Sequence, residues 1–222
     1  MKLPALGVVP LLLLLSGHTH QTMELTIAQL QYDGGGDWYA NPTGLANLLR
    51  EIRSRTGLAV ADRPATVRLT DRSLWDFPYI YVTGHGNIRL TTEETGILRR
   101  YLESGGFLHV DDNYGLDESF RNEIRRVFPD RALVQLPVDH PVYQSFYRFE
   151  DGLPKIHKHD GKPAQGFGIF HEGRLVLFYS YESDLGNGWE DAGTHDLPAE
   201  LRERALRMGV NLFVYALAQV AP

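Results

Sequence analysis

YIYVTGHGNIRLTTEETGILRRYLESGGFLHVDDNYG, residues 79–115, reads as strand, polar loop, helix, glycine stop, strand and polar loop. Tyr79 to Thr83 is a short apolar run of aromatic and β-branched residues, as a buried parallel strand requires. Thr91 and Glu94 have capping-box spacing, and Ile97, Leu98, Tyr101 and Leu102 then mark one helical face. Gly105-Gly106 ends that helix, because glycine accepts the left-handed conformation at its end. Phe107 to Val110 is the next strand. A strand, a crossover helix and a parallel strand are joined right-handedly. Gly84-His85-Gly86-Asn87 and Asp111-Asp112-Asn113 therefore belong at the carboxyl ends of adjacent strands, the edge where open α/β sheets bind ligands.

The rest of the chain fits around this unit. Leu25 to Leu30 is an opening strand, followed by the glycine-rich turn Tyr32-Asp33-Gly34-Gly35-Gly36-Asp37-Trp38-Tyr39. Asn41 and Pro42 read as the cap and first residue of a helix buried through Leu45, Leu48, Leu49 and Ile52. The turn has neither G-x-G-x-x-G spacing nor a Walker lysine, and its aspartates would repel a phosphate unless a cation intervened. Further strands are expected around Val60 and Val67–Leu69, at Ala132–Leu136, and at Gly166–Phe170 and Arg174–Tyr181. The last two are joined by a hairpin at Glu172-Gly173. Phe120, Ile124, Val127 and Phe128 mark another helix. Asp151 to Gln165 is expected to be a surface loop, and Glu182 to His195 a polar loop interleaved with Gly186, Gly188 and Gly193. The final helix, apolar from Val210 to Ala218, must be buried.

The chain has 222 residues and a formal net charge of −6, which argues against a nucleic-acid footprint and against anionic membrane surfaces. It holds no cysteine, so disulfides, thiolate metal sites, lipoprotein acylation and a cysteine nucleophile are excluded together. Lys2, the apolar run Leu3–Leu15 and Ser16-Gly17 resemble a secretory signal. The run is short for a membrane span. The expectation is a signal peptide over residues 1–22, a single α/β domain over residues 23–222, and a periplasmic or secreted protein. If Met23 is the true start, the protein is cytoplasmic.

In order, Gly34–Tyr39, Thr83–Gly86, Gly105–Leu108 with Asp111-Asp112, Asp139-His140-Pro141-Val142, and Tyr181–Asp184 with Gly188–Asp191 resemble the bacterial domain-of-unknown-function 4159 family. The likeness spans about Met23 to Ala218. That family is similar in fold to the class I glutamine amidotransferase-like superfamily, which includes trehalose-utilisation-type proteins. The resemblance implies a flavodoxin-like three-layer α/β sandwich, its sheet mainly parallel with an antiparallel edge hairpin. It implies no activity. The amidotransferases need a cysteine, and this chain has none, so thiolate attack on glutamine is excluded. No G-x-S-x-G elbow replaces it.

The catalytic candidates are His85, Asp111 and Asp112. Glycines flank His85 and leave its ring room to face a cleft. Neighbouring aspartates point opposite ways, so one of Asp111 and Asp112 faces the cleft and the other caps the following turn. The expected ligand set is Asp37, Trp38, Tyr39, His85, Asn87, Asp112, Tyr114, His140, Tyr181, Glu182, Asp184 and Trp189. Trp38, Tyr39, Tyr114, Tyr181 and Trp189 would line the cleft, with Trp189 as an apolar platform. His140 is either a second imidazole at the edge or part of a turn. Glu182, Asp184, Glu190, Asp191 and His195 are cation-compatible, so the late loop reads either as a site for a divalent cation or as a solvated acidic loop, and the cofactor stays open. His157-Lys158-His159-Asp160 lies in the irregular stretch and reads as exposed, away from the strand ends. His109 is expected to be a core histidine. Three functions stay open: a module binding a small polar ligand such as a carbohydrate, a metal-assisted or His/carboxylate hydrolase, or a structural subunit docking an envelope protein through the late loop or last helix.

Overall fold

A seven-stranded sheet with helices on both faces makes up the computed structural model, which describes residues 24–219. The signal-peptide expectation for residues 1–22 lies outside the described residues. The first half of the chain forms β1 (Ile27–Leu30), α1 (Gly44–Thr56), β2 (Ala65–Val67), β3 (Tyr79–His85), α2 (Thr92–Glu103), β4 (Phe107–Tyr114) and α3 (Asp117–Val127). The second half forms β5 (Val134–Gln135), β6 (Gln165–His171), β7 (Arg174–Tyr181), α4 (Leu185–Trp189) and α5 (Ala199–Ala218). Strand order is β2-β1-β3-β4-β7-β6-β5, and β6 runs antiparallel to both its neighbours. This is the mainly parallel α/β sandwich with an antiparallel edge that the sequence and the resemblance imply.

Local chemistry accounts for the central unit. β3 is buried from Tyr79 to Gly84, so its apolar residues face helices on both sides. The Thr91 hydroxyl accepts the Glu94 amide at 3.2 Å, and the Glu94 carboxylate accepts the Thr91 amide at 2.8 Å, closing the capping box that starts α2. Between β6 and β7, Glu172 and Gly173 have φ of +50° and +80°, the two left-handed residues of a hairpin turn that follows the sheet twist.

Three local expectations are corrected. Asn41 does not cap α1. The helix starts at Gly44, Asn41 is itself left-handed at φ 57°, and Thr43 at the cap position makes no side-chain cap bond. Residues 151–165 are irregular but not all superficial, since Leu153 and Ile156 are core residues. Glu182 to Glu190 is not a solvated loop. It is a buried turn leading into α4, which lies against α1 and α5.

The two faces of the sheet carry separate cores. Leu45, Leu48, Leu49 and Ile52 of α1, Leu185 and Trp189 of α4, and Met208, Leu212 and Phe213 of α5 cover one face. Leu98, Tyr101 and Leu102 of α2 with Phe120, Ile124 and Val127 of α3 cover the other. Asn211 is fully buried in α5, and it accepts the Tyr147 amide at 2.7 Å while donating to the Tyr147 carbonyl at 2.8 Å. It thereby ties the irregular chain after β5 to the last helix.

This layering fixes where the sheet edge opens. β1 leads to α1 on one face while β3 leads to α2 on the other, so a crevice forms between their carboxyl ends. β4 leads to α3 and β7 to α4 and α5, again on opposite faces, which makes a second crevice. The position of α4 beneath that second crevice depends on close packing at Gly188, where an added Cβ would lie 2.3 Å from the Ala205 Cβ. Gly188→Ala should therefore lower the unfolding free energy by about 1–3 kcal/mol despite alanine's better helix propensity. Urea denaturation tests this, and an unchanged or raised midpoint would refute the packing.

Candidate functional site

The β1/β3 crevice is built on the glycine-rich turn. The Tyr32 hydroxyl donates to the Thr83 carbonyl at 2.9 Å, crossing beneath Gly84. Gly84 has φ +141°, and a Cβ there would stand 2.3 Å from that hydroxyl, so this position requires glycine. The turn is pinned by the Gly36 amide donating to the Asn87 carbonyl at 2.9 Å. Asp37 takes the His85 amide on one carboxylate oxygen, and its other oxygen lies 3.0 Å from His85 Nδ1. The imidazole is held by one nitrogen while His85 stays more than half exposed. Trp38 packs partly against the α2/α3 core, and Tyr39 is exposed.

The β4/β7 crevice is built over buried polar groups. Asp111, fully buried, accepts the Ser180 hydroxyl at 2.5 Å and the Leu185 amide at 3.1 Å on Oδ1. Its Oδ2 accepts the Gly186 amide at 2.7 Å and the Tyr81 hydroxyl at 3.2 Å. Burial, and then the Asp184 charge, push the Asp111 pKa up to about 7. Asp112 turns the other way, and its Oδ1 accepts the Tyr114 and Leu116 amides at 3.2 Å each. It too is raised, chiefly by burial. Asp111 is thus structural within the chain, and Asp112 both caps the turn after β4 and acts electrostatically on His159.

The chain between Gly152 and Gly161 crosses this crevice as a strap. The Ile156 and His157 amides donate to the Ser183 carbonyl at 3.0 and 3.2 Å, and the Ser183 hydroxyl donates to the Pro154 carbonyl at 2.6 Å. Lys155 Nζ reaches the buried Glu182 carboxylate at 2.6 Å. His159 Nε2 lies 3.0 Å from Asp184 Oδ2, and His157 Nδ1 lies 3.9 Å from the same oxygen. Burial alone would lower the His159 pKa, but the hydrogen bond and charge of Asp184 and the charge of Asp112 outweigh it, and the net shift is upward. Outside the crevice the strap is closed by exposed contacts. The Tyr114 hydroxyl donates to Asp160 at 3.0 Å, and Lys162 Nζ donates to the Tyr181 hydroxyl at 3.1 Å.

Backbone strain concentrates here. Of the seven non-glycine residues with positive φ among the described residues, Asn41, Tyr114, His159, Glu182 and Asp184 all converge on this crevice. Each costs about 1–3 kcal/mol and persists only where the surroundings over-determine it. Three buried polar atoms beside them have no partner: Asp184 Oδ1, His159 Nδ1 and Asn113 Nδ2. Asn113 spends its oxygen on Thr83, at 3.0 Å, and on Asn41, at 3.3 Å.

The structure divides the expected ligand set. Asp112, Tyr114, Tyr181, Glu182 and Asp184 gather at the β4/β7 crevice, and Asp37, Trp38, Tyr39, His85 and Asn87 at the β1/β3 crevice. His140 joins neither. It accepts the Val142 amide at 3.2 Å and packs against Phe170 and Tyr215, toward the amino-terminal end of β7. Trp189 is no platform: it is 1 % exposed, and its Nε1 donates to the Ala205 carbonyl at 2.9 Å. Glu190 accepts the Thr43 and Gly44 amides at 2.8 and 2.9 Å, supplying the cap that Asn41 does not. His109 is a core histidine, 3.0 Å from the Ser180 hydroxyl, its pKa lowered to about 3 by burial. The sequence reading misplaced His157 and His159. The side chain of His159 is 1 % exposed, and the alternate spacing of the two histidines, which sends both rings toward Asp184, was the signal available.

An open α/β protein with two crevices at the strand carboxyl ends, the second strained and rich in buried carboxylates, is the class this geometry defines. The chain belongs to the family described as "Domain of unknown function (DUF4159)", whose model matches residues 26–217. No curated protein matches the chain.

Two outcomes follow from these contacts. A carboxyl group whose folded pKa is raised contributes stability that is complete below its ordinary value and lost as pH rises through the folded one. For Asp111 that window runs from 3.8 to about 7. The stability advantage of the parent over Asp111→Asn, measured by urea unfolding, should therefore shrink across this range, and a pH-independent difference would contradict the assignment. Glu190→Ala strips the α1 amides of their acceptor and should cost about 1–3 kcal/mol. A neutral result would show that water serves as well.

Proposed function

We propose that the chain is a binding module for a small polar ligand, seated at the β4/β7 crevice and contacted by Asp112, Tyr114, His159 and Asp184. What carries this reading is the convergence of strained residues on buried, partnerless polar atoms. Strain of that kind is stored at ligand clamps and active sites, and buried polar atoms without partners call for a ligand or a water. The half-exposed ring of Tyr114 and the strap from Lys155 to Asp160 give the ligand one apolar wall and one polar one. Sugars and small hydroxy acids match this mixture of acceptors, imidazoles and an aromatic face. The chain keeps the crevice of the amidotransferase-like superfamily that it resembles, without its nucleophile.

A hydrolase is the second reading, and the Asp37–His85 pair favours it. A carboxylate on Nδ1 orients the ring and leaves Nε2 free to take a proton, which is the arrangement of a general base. The envelope-subunit reading gains no support from α5, since the exposed large apolar side chains, among them Tyr39, Trp75 and Phe146, lie elsewhere. A secreted or periplasmic location remains part of the proposal, resting on the apolar leader.

A panel of sugars and small acids, scored by thermal shift on the parent and on Tyr114→Ala, tests the binding reading. At least one compound should stabilise the parent in proportion to the logarithm of its concentration. That stabilisation should shrink in Tyr114→Ala. Stabilisation by none of them, or equal stabilisation of both proteins, would overturn it.

A further inference from the structure

We infer that the β4/β7 crevice holds one divalent cation of the zinc type, ligated by His157 Nδ1, His159 Nε2 and Asp184 Oδ2. The inference rests on the reading of this crevice as the functional site and adds a cofactor to it. The three ligand atoms all lie within 4.8 Å of one another, and the two separations to Asp184 are 3.0 and 3.9 Å. Tetrahedral zinc, with bonds of about 2.0–2.2 Å, sets its ligand atoms roughly 3.3–3.6 Å apart. The two spacings to Asp184 bracket that value, and the imidazole nitrogens, within 4.8 Å of each other, close on an ion by rotation of the rings.

The donor set selects the metal class. Two imidazoles and one carboxylate suit zinc and its neighbours, whereas magnesium and calcium favour oxygen alone. Three protein ligands leave a fourth position open, the pattern of sites that bind water or a ligand oxygen rather than of closed structural sites. That position has a route to solvent, because the His157 side chain is about half exposed, at 51 %.

Independent of the spacing, the buried groups lack something a cation would supply. Asp184 is a fully buried carboxylate whose Oδ1 finds no donor. The nearest lysine of the strap, Lys155, is committed to Glu182 at 2.6 Å. Asp111 and Asp112 add carboxyl groups to the same crevice. A cation held by Asp184 would offset this concentration of negative charge far better than a lone imidazole. The surroundings also act as an outer shell. Asn187 donates to Asp184 and so orients the ligating carboxylate.

The test uses the full chain without affinity histidines, stripped with chelator and dialysed. Zinc is titrated by calorimetry, and cobalt is followed by its visible absorption bands. One equivalent should bind, with the intense cobalt bands of four-coordination. His157→Ala and Asp184→Asn should weaken zinc binding by more than about 100-fold, while His195→Ala, at an exposed histidine outside the crevice, should leave it unchanged. The half-exposed position of His157 makes its variant the safer fold, so the test survives if Asp184→Asn misfolds. Absence of saturable binding, or one-equivalent binding that His157→Ala leaves intact, overturns the site and reduces the His159–Asp184 contact to a hydrogen bond holding the strap. Zinc binding with no stabilising sugar or acid would overturn the ligand reading alone. Ligand stabilisation of chelated protein that binds no zinc would overturn the metal alone.

Discussion

The Asp111 carboxyl group ties together elements that the chain order keeps apart. It takes a hydroxyl from β3, a hydroxyl from β7 and two amides from α4. Those bonds hold the turn after β7 in a path that no local preference would select, through left-handed Glu182 and Asp184. The same turn presents the Ser183 carbonyl to the strap and points Asp184 at His159. At its far end, α4 delivers Glu190 to the amides that open α1. One buried acid therefore fixes the crevice floor, the strap above it and the start of the first helix.

Burial of this many polar groups is costly. A carboxyl in the interior is tolerated because four donors meet it, and its raised pKa allows a proton to replace its charge when the neighbouring Asp184 is ionised. If Asp111 carries that proton, the Ser180 hydroxyl can accept from it and donate its own hydrogen bond to the Val110 carbonyl, 3.1 Å away. His109, neutral in the core, can then donate to the same serine. The Ser180 hydroxyl is satisfied in that arrangement, while His109 Nδ1 on the far side of the ring has no partner. Further partnerless atoms lie one layer outward, at Asp184, His159 and Asn113, on the crevice side of this group.

Much of the fold was legible because its signals are local. The apolar run at Tyr79, the capping box at Thr91, the glycine pair at Gly105 and the hairpin turn at Glu172-Gly173 each act within a few residues. Crossover handedness then placed Gly84 and Asp111 on one edge without further information. The site was legible only in part, because its contacts are distant in sequence. His159 and Asp184 are 25 residues apart, and Glu190 caps a helix more than a hundred residues earlier. A segment rich in glycine and carboxylates, such as Glu182–Trp189, reads as solvated loop by composition. It is buried because Asp111, Asn47 and Ala205 supply its partners. Trp189 illustrates the same limit: polar neighbours in sequence said nothing of the apolar neighbours it meets between α1 and α5.

The central claim is that strap and turn form one preorganised site, completed by what binds there. Hydrogen–deuterium exchange of the chelated protein, with and without one equivalent of zinc, tests it most directly. Zinc should slow exchange in the strap from Lys155 to Asp160 and in the turn from Glu182 to Glu190, and leave the β1/β3 crevice and the edge hairpin unchanged. Protection that develops elsewhere, or a strap that exchanges at the same rate in both samples, would contradict the account.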